Sequence, residues 1–142
     1  MDQFPSIKPG QQRAIPIELH PFLFDHTIQT GAVLPAVQSM QVLCALATGG
    51  RASSSGHIID QARFGKLLHL PADQQQIDAL IEADDTSDGS LRLSLLTKAV
   101  SRSGITRRLQ HASLTYLTEV DVPFPPIEHP GKAFTLEVPP EE

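Results

Sequence analysis

Cysteine is almost absent from this chain of 142 residues: Cys44 stands alone. That excludes an internal disulfide and any zinc site built on several thiolates. Tryptophan is missing and aromatic residues make up 5% of the sequence, too few for a stacking platform under bases or sugars. Basic residues are outnumbered, 11 Lys and Arg against 16 Asp and Glu, for a net charge of −5. A general nucleic-acid binder needs the opposite balance, because Lys and Arg must displace phosphate counterions. No apolar run approaches the roughly 20 residues that cross a bilayer, so no membrane span is expected. Met1-Asp2-Gln3-Phe4-Pro5 has neither a basic start nor an apolar stretch. It gives no sign of a secretory leader, which makes the cytoplasm the default compartment.

What is present is the composition of one globular domain, with 40% hydrophobic residues and a length that leaves little room for a second. The two ends differ from the middle. Residues 1–16 carry Pro5, Pro9, Gly10 and Pro16 and read as an irregular N-terminal arm. Residues 121–142 hold six of the 12 prolines. Successive prolines cannot donate to a sheet ladder, so this stretch reads as an extended strap. The folded body is expected over residues 17–120.

Within the body one helix stands out. Pro35 suits a first helical position, Ala36 to Ala47 follow with only Gln38, Ser39 and Gln41 polar, and Gly49-Gly50 ends the run. A helix apolar on nearly every face is expected to be enclosed on nearly every face. Strands supply the enclosure. His57 to Leu70 is β-branched at its start and closed by Pro71; Leu91, Leu93 and Leu95 alternate with Arg92 and Ser94; Ile105 to Leu117 follows a Ser-Arg-Ser-Gly turn. Residues 74–83 are ambiguous, since Asp73 could cap a short helix while Ile77, Ala79, Ile81 and Ala83 alternate as a strand does. The polar turn Asp84–Ser90 and the neighbouring strands decide for the strand. The expected fold is α+β: a short strand, a buried helix, then an antiparallel meander of about four strands. A curved antiparallel sheet around one central helix is the hot-dog architecture, and its open edge predicts a dimer.

The stretch His20–Gln41 carries the chemistry. It sets His26 nine residues ahead of Pro35, near a helix N-terminus whose first N–H groups are unpaired and whose field favours negative charge. A thioester carbonyl docked there gains stabilisation as it becomes enolate-like, while a neutral imidazole can take a proton from the adjacent carbon.

His20-Pro21, Asp25-His26 and Pro35, with Ile58–Phe64, Leu67, Leu70-Pro71 and Gln110–Ser113 further on, resemble the N-terminal hot-dog half of polyketide synthase dehydratases, within the hot-dog dehydratase superfamily. The similarity spans roughly residues 17–118. It implies a 3-hydroxyacyl-thioester dehydratase of fatty-acid or polyketide type, acting on acyl carrier protein or coenzyme A thioesters without metal or tightly held cofactor. It implies His26 as the base, Thr30 and Gly31 at the motif's glycine turn, and an acyl tail running along the helix beside Pro35, Met40, Gln41 and Cys44. Two departures stand in the sequence. Thr30 occupies the glycine position, with Gly31 one residue late. At the helix position where such enzymes carry the acid, this chain has Gln41, and an amide cannot deliver a proton as a carboxylic acid does.

Three readings follow: a second hot-dog chain brings the acid, Asp25 or Asp60 replaces it, or a homodimer binds acyl thioesters without dehydrating them. A thioesterase is a further possibility on this architecture. Plainer roles stand beside the sharp ones. Asp25 faces solvent, His20 is fixed by Pro21, Met40 is core, and Cys44 is a small buried hydrophobe with no second histidine to activate it. Gln41 satisfies itself on backbone. His57, His69, His111 and His129 lack ligand spacing, so no metal site is expected. Arg102, Arg107 and Arg108 form a positive spot that is either solvated or meets a carrier's phosphate or acidic surface.

Overall fold

The computed structural model describes residues 5–29, 31–49 and 58–117. They form a mixed α+β domain in which one helix packs against a five-stranded antiparallel sheet. In chain order the elements are β1 (Gln12–Glu18), a 3-10 turn (Pro21–Asp25), β2 (Thr27–Ile28), β3 (Gly31–Ala32), α1 (Ala36–Thr48), β4 (Ile58–Phe64), β5 (Gln76–Asp85), β6 (Leu91–Val100) and β7 (Thr106–Leu117).

Period-two patterning sets the sheet. Ile77, Ala79, Ile81 and Ala83 all turn to one face of β5, where Ile81 pairs with Leu95 and Ala83 with Leu93 of β6. Across the next ladder Leu93 meets Leu114 and Leu91 meets Tyr116 of β7. This face, with Ile15 and Ile17 of β1, is the core. The alternation at 77–83 therefore marks a strand, as read from sequence, because a helix would have split those residues between faces.

The sheet order is β1-β5-β6-β7-β4, and this corrects the expected four-strand meander. β5, β6 and β7 are a meander, but β4 pairs with β7 at the far side. The connection over residues 65–75, with Pro71 in it, is far longer than the two to five residues of a hairpin loop, so β4 and β5 are not neighbours. The N-terminal boundary shifts as well. β1 begins at Gln12, inside the stretch read as an irregular arm, and Ile7 before it is buried with its N–H on the Leu46 carbonyl at 2.9 Å. The Pro-rich stretch 121–142 lies outside the described residues.

α1 starts and stops where the sequence says. Pro35 stands at the N-cap, one position earlier than expected, and its carbonyl accepts from Gln38 N–H at 3.0 Å and Ser39 N–H at 3.2 Å. Gly49 closes the helix at φ 65°, a left-handed backbone that glycine adopts without strain. The enclosure, however, is one-sided. Ser39, Leu43 and Leu46 are buried against β6 and β7, while Ala36, Val37, Gln41 and Ala45 are exposed, Val37 at 62%. A single sheet covers one side of a helix, so an all-round apolar helix keeps an uncovered face among the described residues.

Both sheet edges are blunted. β1 carries Pro16 at its centre, which removes a ladder donor. β4 is bulged between Asp60 and Arg63; Gln61 sits at φ 51° and gives its N–H to the Asp60 carboxylate at 2.8 Å. Such devices discourage edge-to-edge pairing.

The β5–β6 connection is closed by side chains. Ser90 N–H donates to the Asp88 carboxylate at 3.1 Å, and the Thr86 hydroxyl donates to the same group. These bonds, led by that of Thr86, hold the Asp88 carboxyl from 3.8 down to about 2. The unfolded chain binds this proton more readily, so the turn's contribution to stability is present above pH 3.8 and lost as pH falls toward 2. Acid-unfolding curves of the wild type and Asp88→Ala are therefore expected to separate above that window and converge below it.

Candidate functional site

His26 lies where the 3-10 turn ends and the β2–β3 hairpin begins. Its N–H donates to the Leu23 carbonyl at 3.3 Å and its carbonyl accepts from Val33 N–H at 3.0 Å, so the backbone is tied on both sides. The ring is exposed and makes no hydrogen bond or ion pair with any described residue. Its neighbour Asp25 is exposed too. His20, at the N-cap of the turn, stacks on Phe22 with centroids 5.6 Å apart and lies 3.6 Å from Glu18.

One wall of the cleft at the N-terminal end of α1 is formed by His26, Ile28, Val33 and Leu34, the helix supplies Ala36 and Ser39, and Phe64 to Leu68 with His111 close the other side. Its volume is about 180 Å³. A cavity of roughly 150 Å³ takes one benzene-sized molecule, so this cleft suits a group of about six to eight heavy atoms. The lining is mostly apolar, with His26, Ser39, Lys66 and His111 as its polar residues and no carboxylate among the described residues.

The opposite wall is built by β7. Past Phe64 the chain leaves regular pairing, yet Gly65 N–H reaches the His111 carbonyl at 3.1 Å and Lys66 N–H the Gln110 carbonyl at 3.4 Å. A side chain at Gly65 would meet the Gln110 carbonyl at 3.3 Å, so the backbone runs close there. Leu68 and Leu70 then bond Leu34 and Ala32, joining this wall to the approach of the helix.

His111 is buried. Nδ1 faces the Lys66 carbonyl at 2.9 Å and Nε2 faces the Thr97 hydroxyl at 2.7 Å. A carbonyl only accepts, so Nδ1 carries the proton and, in the neutral ring, Nε2 accepts from Thr97. With both nitrogens engaged, His111 holds the wall and His26 is the imidazole free to act.

The remaining sequence-derived residues are placed as follows. Thr30 lies outside the described residues. Gly31, at φ 125°, opens β3 after a two-residue loop, is exposed, and does not line the cleft. Pro35 abuts it as the helix cap, and Ala36, whose N–H has no partner within the helix, faces into it. Met40 packs against the core, as does half-buried Cys44, whose thiol burial pushes up, away from the reactive thiolate. Gln41 is exposed on a different side of α1 from Ala36 and Ser39. Asp60 points to the bulge of β4. The structure thus brings His26 and the helix N-terminus together but leaves Met40, Gln41 and Cys44 off the cleft.

Sequence reasoning missed Ser39, Lys66 and the cleft role of His111. His111 carried no sign in residue type: in the folded strand it is buried beside Ala112, where strict alternation would send one of them outward. The register slip between Leu95 and Leu96 opposite them is the bulge that turns both inward.

Among the described residues no three His, Cys, Asp or Glu side chains are grouped to hold a metal ion, and no helix is long and apolar enough to cross a membrane. No protein-family model, curated protein or solved structure matches this chain.

Proposed function

We propose that the chain is a hot-dog-like domain that takes short acyl thioesters in the His26 cleft, with His26 as the general base of a 3-hydroxyacyl-thioester dehydration. The observation that carries this reading is the free His26 ring in the wall of a mostly apolar slot at the start of α1. The acyl group fills the slot and its carbonyl oxygen meets the first helical N–H groups. His26 removes the α-proton, the Cα–Cβ double bond forms, and the β-hydroxyl departs as water once an acid supplies its proton.

That acid is the missing part. Among the described residues no carboxylate lines the cleft, and in this reading a second hot-dog chain brings it, in a homodimer or a heterodimer. The uncovered face of α1 suits such a neighbour better than the blunted sheet edges do. The same lack of a carboxylate favours a second reading, a non-catalytic module that binds acyl thioesters carried on coenzyme A or acyl carrier protein. Enoyl formation from a 3-hydroxybutyryl thioester, with the protein alone and with a second hot-dog chain, separates the two.

Gln41→Glu adds a sharper test. Because Gln41 faces away from its own cleft, a carboxylate there cannot serve the chain that carries it. In material shown to be monomeric by sedimentation, Gln41→Glu is expected to form no more enoyl product than wild type. A gain in the monomer would show that this helix face reaches its own cleft; a gain only in the assembled form places the helix across a neighbour's cleft.

A further inference from the structure

Residues 90–118 hold five of the 11 basic residues, Arg92, Lys98, Arg102, Arg107 and Arg108, and no Asp or Glu. The segment is +5 in a chain of net −5, so everything outside it sums to −10. Four of the five cations cluster on the distal half of the β6–β7 hairpin, and all four are exposed. Lys98 stands directly opposite Arg108, next to the Ala99–Arg107 pair. Like charges directly opposite in a ladder are destabilising. Glu82 relieves Arg108; among the described residues Lys98, Arg102 and Arg107 have no anionic partner. Between them Val100 and Ile105 are 70% and 57% exposed. The tip is held rigid: Ser101 N–H bonds the Ile105 carbonyl at 2.9 Å, Gly104 N–H bonds the Ser101 carbonyl at 2.9 Å, and Gly104 sits at φ 80°. The arm also begins at the cleft, because Thr97, one residue before Lys98, holds His111 in the cleft wall.

We infer that this hairpin is the docking arm for a small acidic globular protein. A carboxylate cluster on the partner would pair with Lys98, Arg102 and Arg107 while Val100 and Ile105 meet an apolar spot between the charges. A nucleic acid or an anionic bilayer is extended and would also face the acidic remainder of the chain; a compact partner need meet only the arm. The distal half of the hairpin, residues 98–108, offers no aromatic side chain for bases to stack on. The inference takes from the acyl-thioester reading the choice of partner, an acyl carrier protein. From Thr97 to the turn at Ser101 is about 13 Å at the rise of a strand, so a carrier seated on the tip stands beside the cleft.

The test uses the full chain and a fluorescently labelled apo acyl carrier protein, which has no prosthetic arm and so reports docking without cleft chemistry. Wild type is expected to bind it, with affinity falling steeply as salt rises. The triple variant Lys98→Glu, Arg102→Glu, Arg107→Glu is expected to lose about tenfold or more in affinity. Its melting temperature should not fall, since a glutamate at 98 now faces Arg108. Equal carrier binding by wild type and variant overturns the inference, as does no binding at low salt. Preference of the wild type for a single-stranded oligonucleotide or phosphatidylglycerol vesicles overturns it too. Turnover or binding of a free short-chain acyl-CoA reads the cleft separately, and the variant should leave it unchanged. If acyl-CoA handling is absent while carrier binding depends on the three cations, the cleft reading fails and the docking arm stands.

Discussion

His26→Ala is expected to lower the rate of enoyl formation from a 3-hydroxyacyl thioester by about 10²–10⁴-fold, the range that one positioned general base supplies. The expectation rests on division of labour between two imidazoles. Both His26 and His111 line the cleft. His111 spends Nδ1 on the Lys66 carbonyl and Nε2 on the Thr97 hydroxyl, so taking a substrate proton would require breaking one of those bonds. The His26 ring has no such commitment. Its removal should also leave the fold intact, because the hydrogen bonds at this position, from its N–H to Leu23 and from Val33 to its carbonyl, are made by backbone and survive in alanine. The check is turnover beside thermal melting in the same preparation, under whatever assembly shows activity for wild type. A rate equal to wild type with an unchanged melt removes His26 from the chemistry. If no assembly dehydrates, the same variant reports on binding alone. A short-chain acyl-CoA should then lose at most a few-fold in affinity, since the apolar lining from Ile28 to Leu68 remains.

The strands and the helix were legible because each obeys a local rule. Ile77, Ala79, Ile81 and Ala83 announce a strand by period two, and Pro35 and Gly49 bracket α1 by backbone restriction alone. Pairing was less legible. That β4 lies beside β7 depends on contacts between residues nearly 60 apart in the chain, such as Ile59 with Tyr116, which no local pattern encodes. Burial of α1 was misread for a related reason. An apolar helix states that its faces avoid water, and does not state that one chain supplies every cover. The site divided along the same line. The place of His26 at the cleft was legible because its spacing to the helix start is a sequence distance. Gln41 was placed in the cleft by counting from Pro35, yet Ala36 and Ser39 face the cleft and Gln41 does not, since five residues on from Ala36 is not the same side of a 3.6-residue turn. Lys66 enters through its backbone, and backbone geometry past the end of a strand leaves no mark in residue type.

His111→Ala should be strongly destabilising. His111 is 6% exposed and joins three parts of the structure: its own strand β7, Thr97 of β6, and the carbonyl of Lys66 in the opposite wall. Alanine leaves a void where the ring stood, an unpaired Thr97 hydroxyl and an unpaired Lys66 carbonyl. Both groups are only partly shielded from water, so each costs about 1 kcal/mol, the low end for an orphaned group, and the lost side-chain volume adds to that. A total of about 2–4 kcal/mol lowers the melting temperature by roughly 10 °C in a domain of this size. Thr97→Val isolates one of the two bonds, since valine keeps the shape and loses the donor; it should cost about 1–2 kcal/mol. The two variants then differ in a second respect that a purely structural histidine would not produce. Thr97→Val leaves the Nδ1 bond to Lys66 in place and the 65–68 wall anchored, so acyl binding should hold. His111→Ala frees that wall, so short-acyl affinity should fall even at temperatures where the variant is fully folded. Backbone amide exchange at Gly65 and Lys66, whose N–H groups bond β7, reads the loosening directly. Unchanged protection there in His111→Ala would mean that the backbone bonds alone secure the wall, and that the imidazole only fills space.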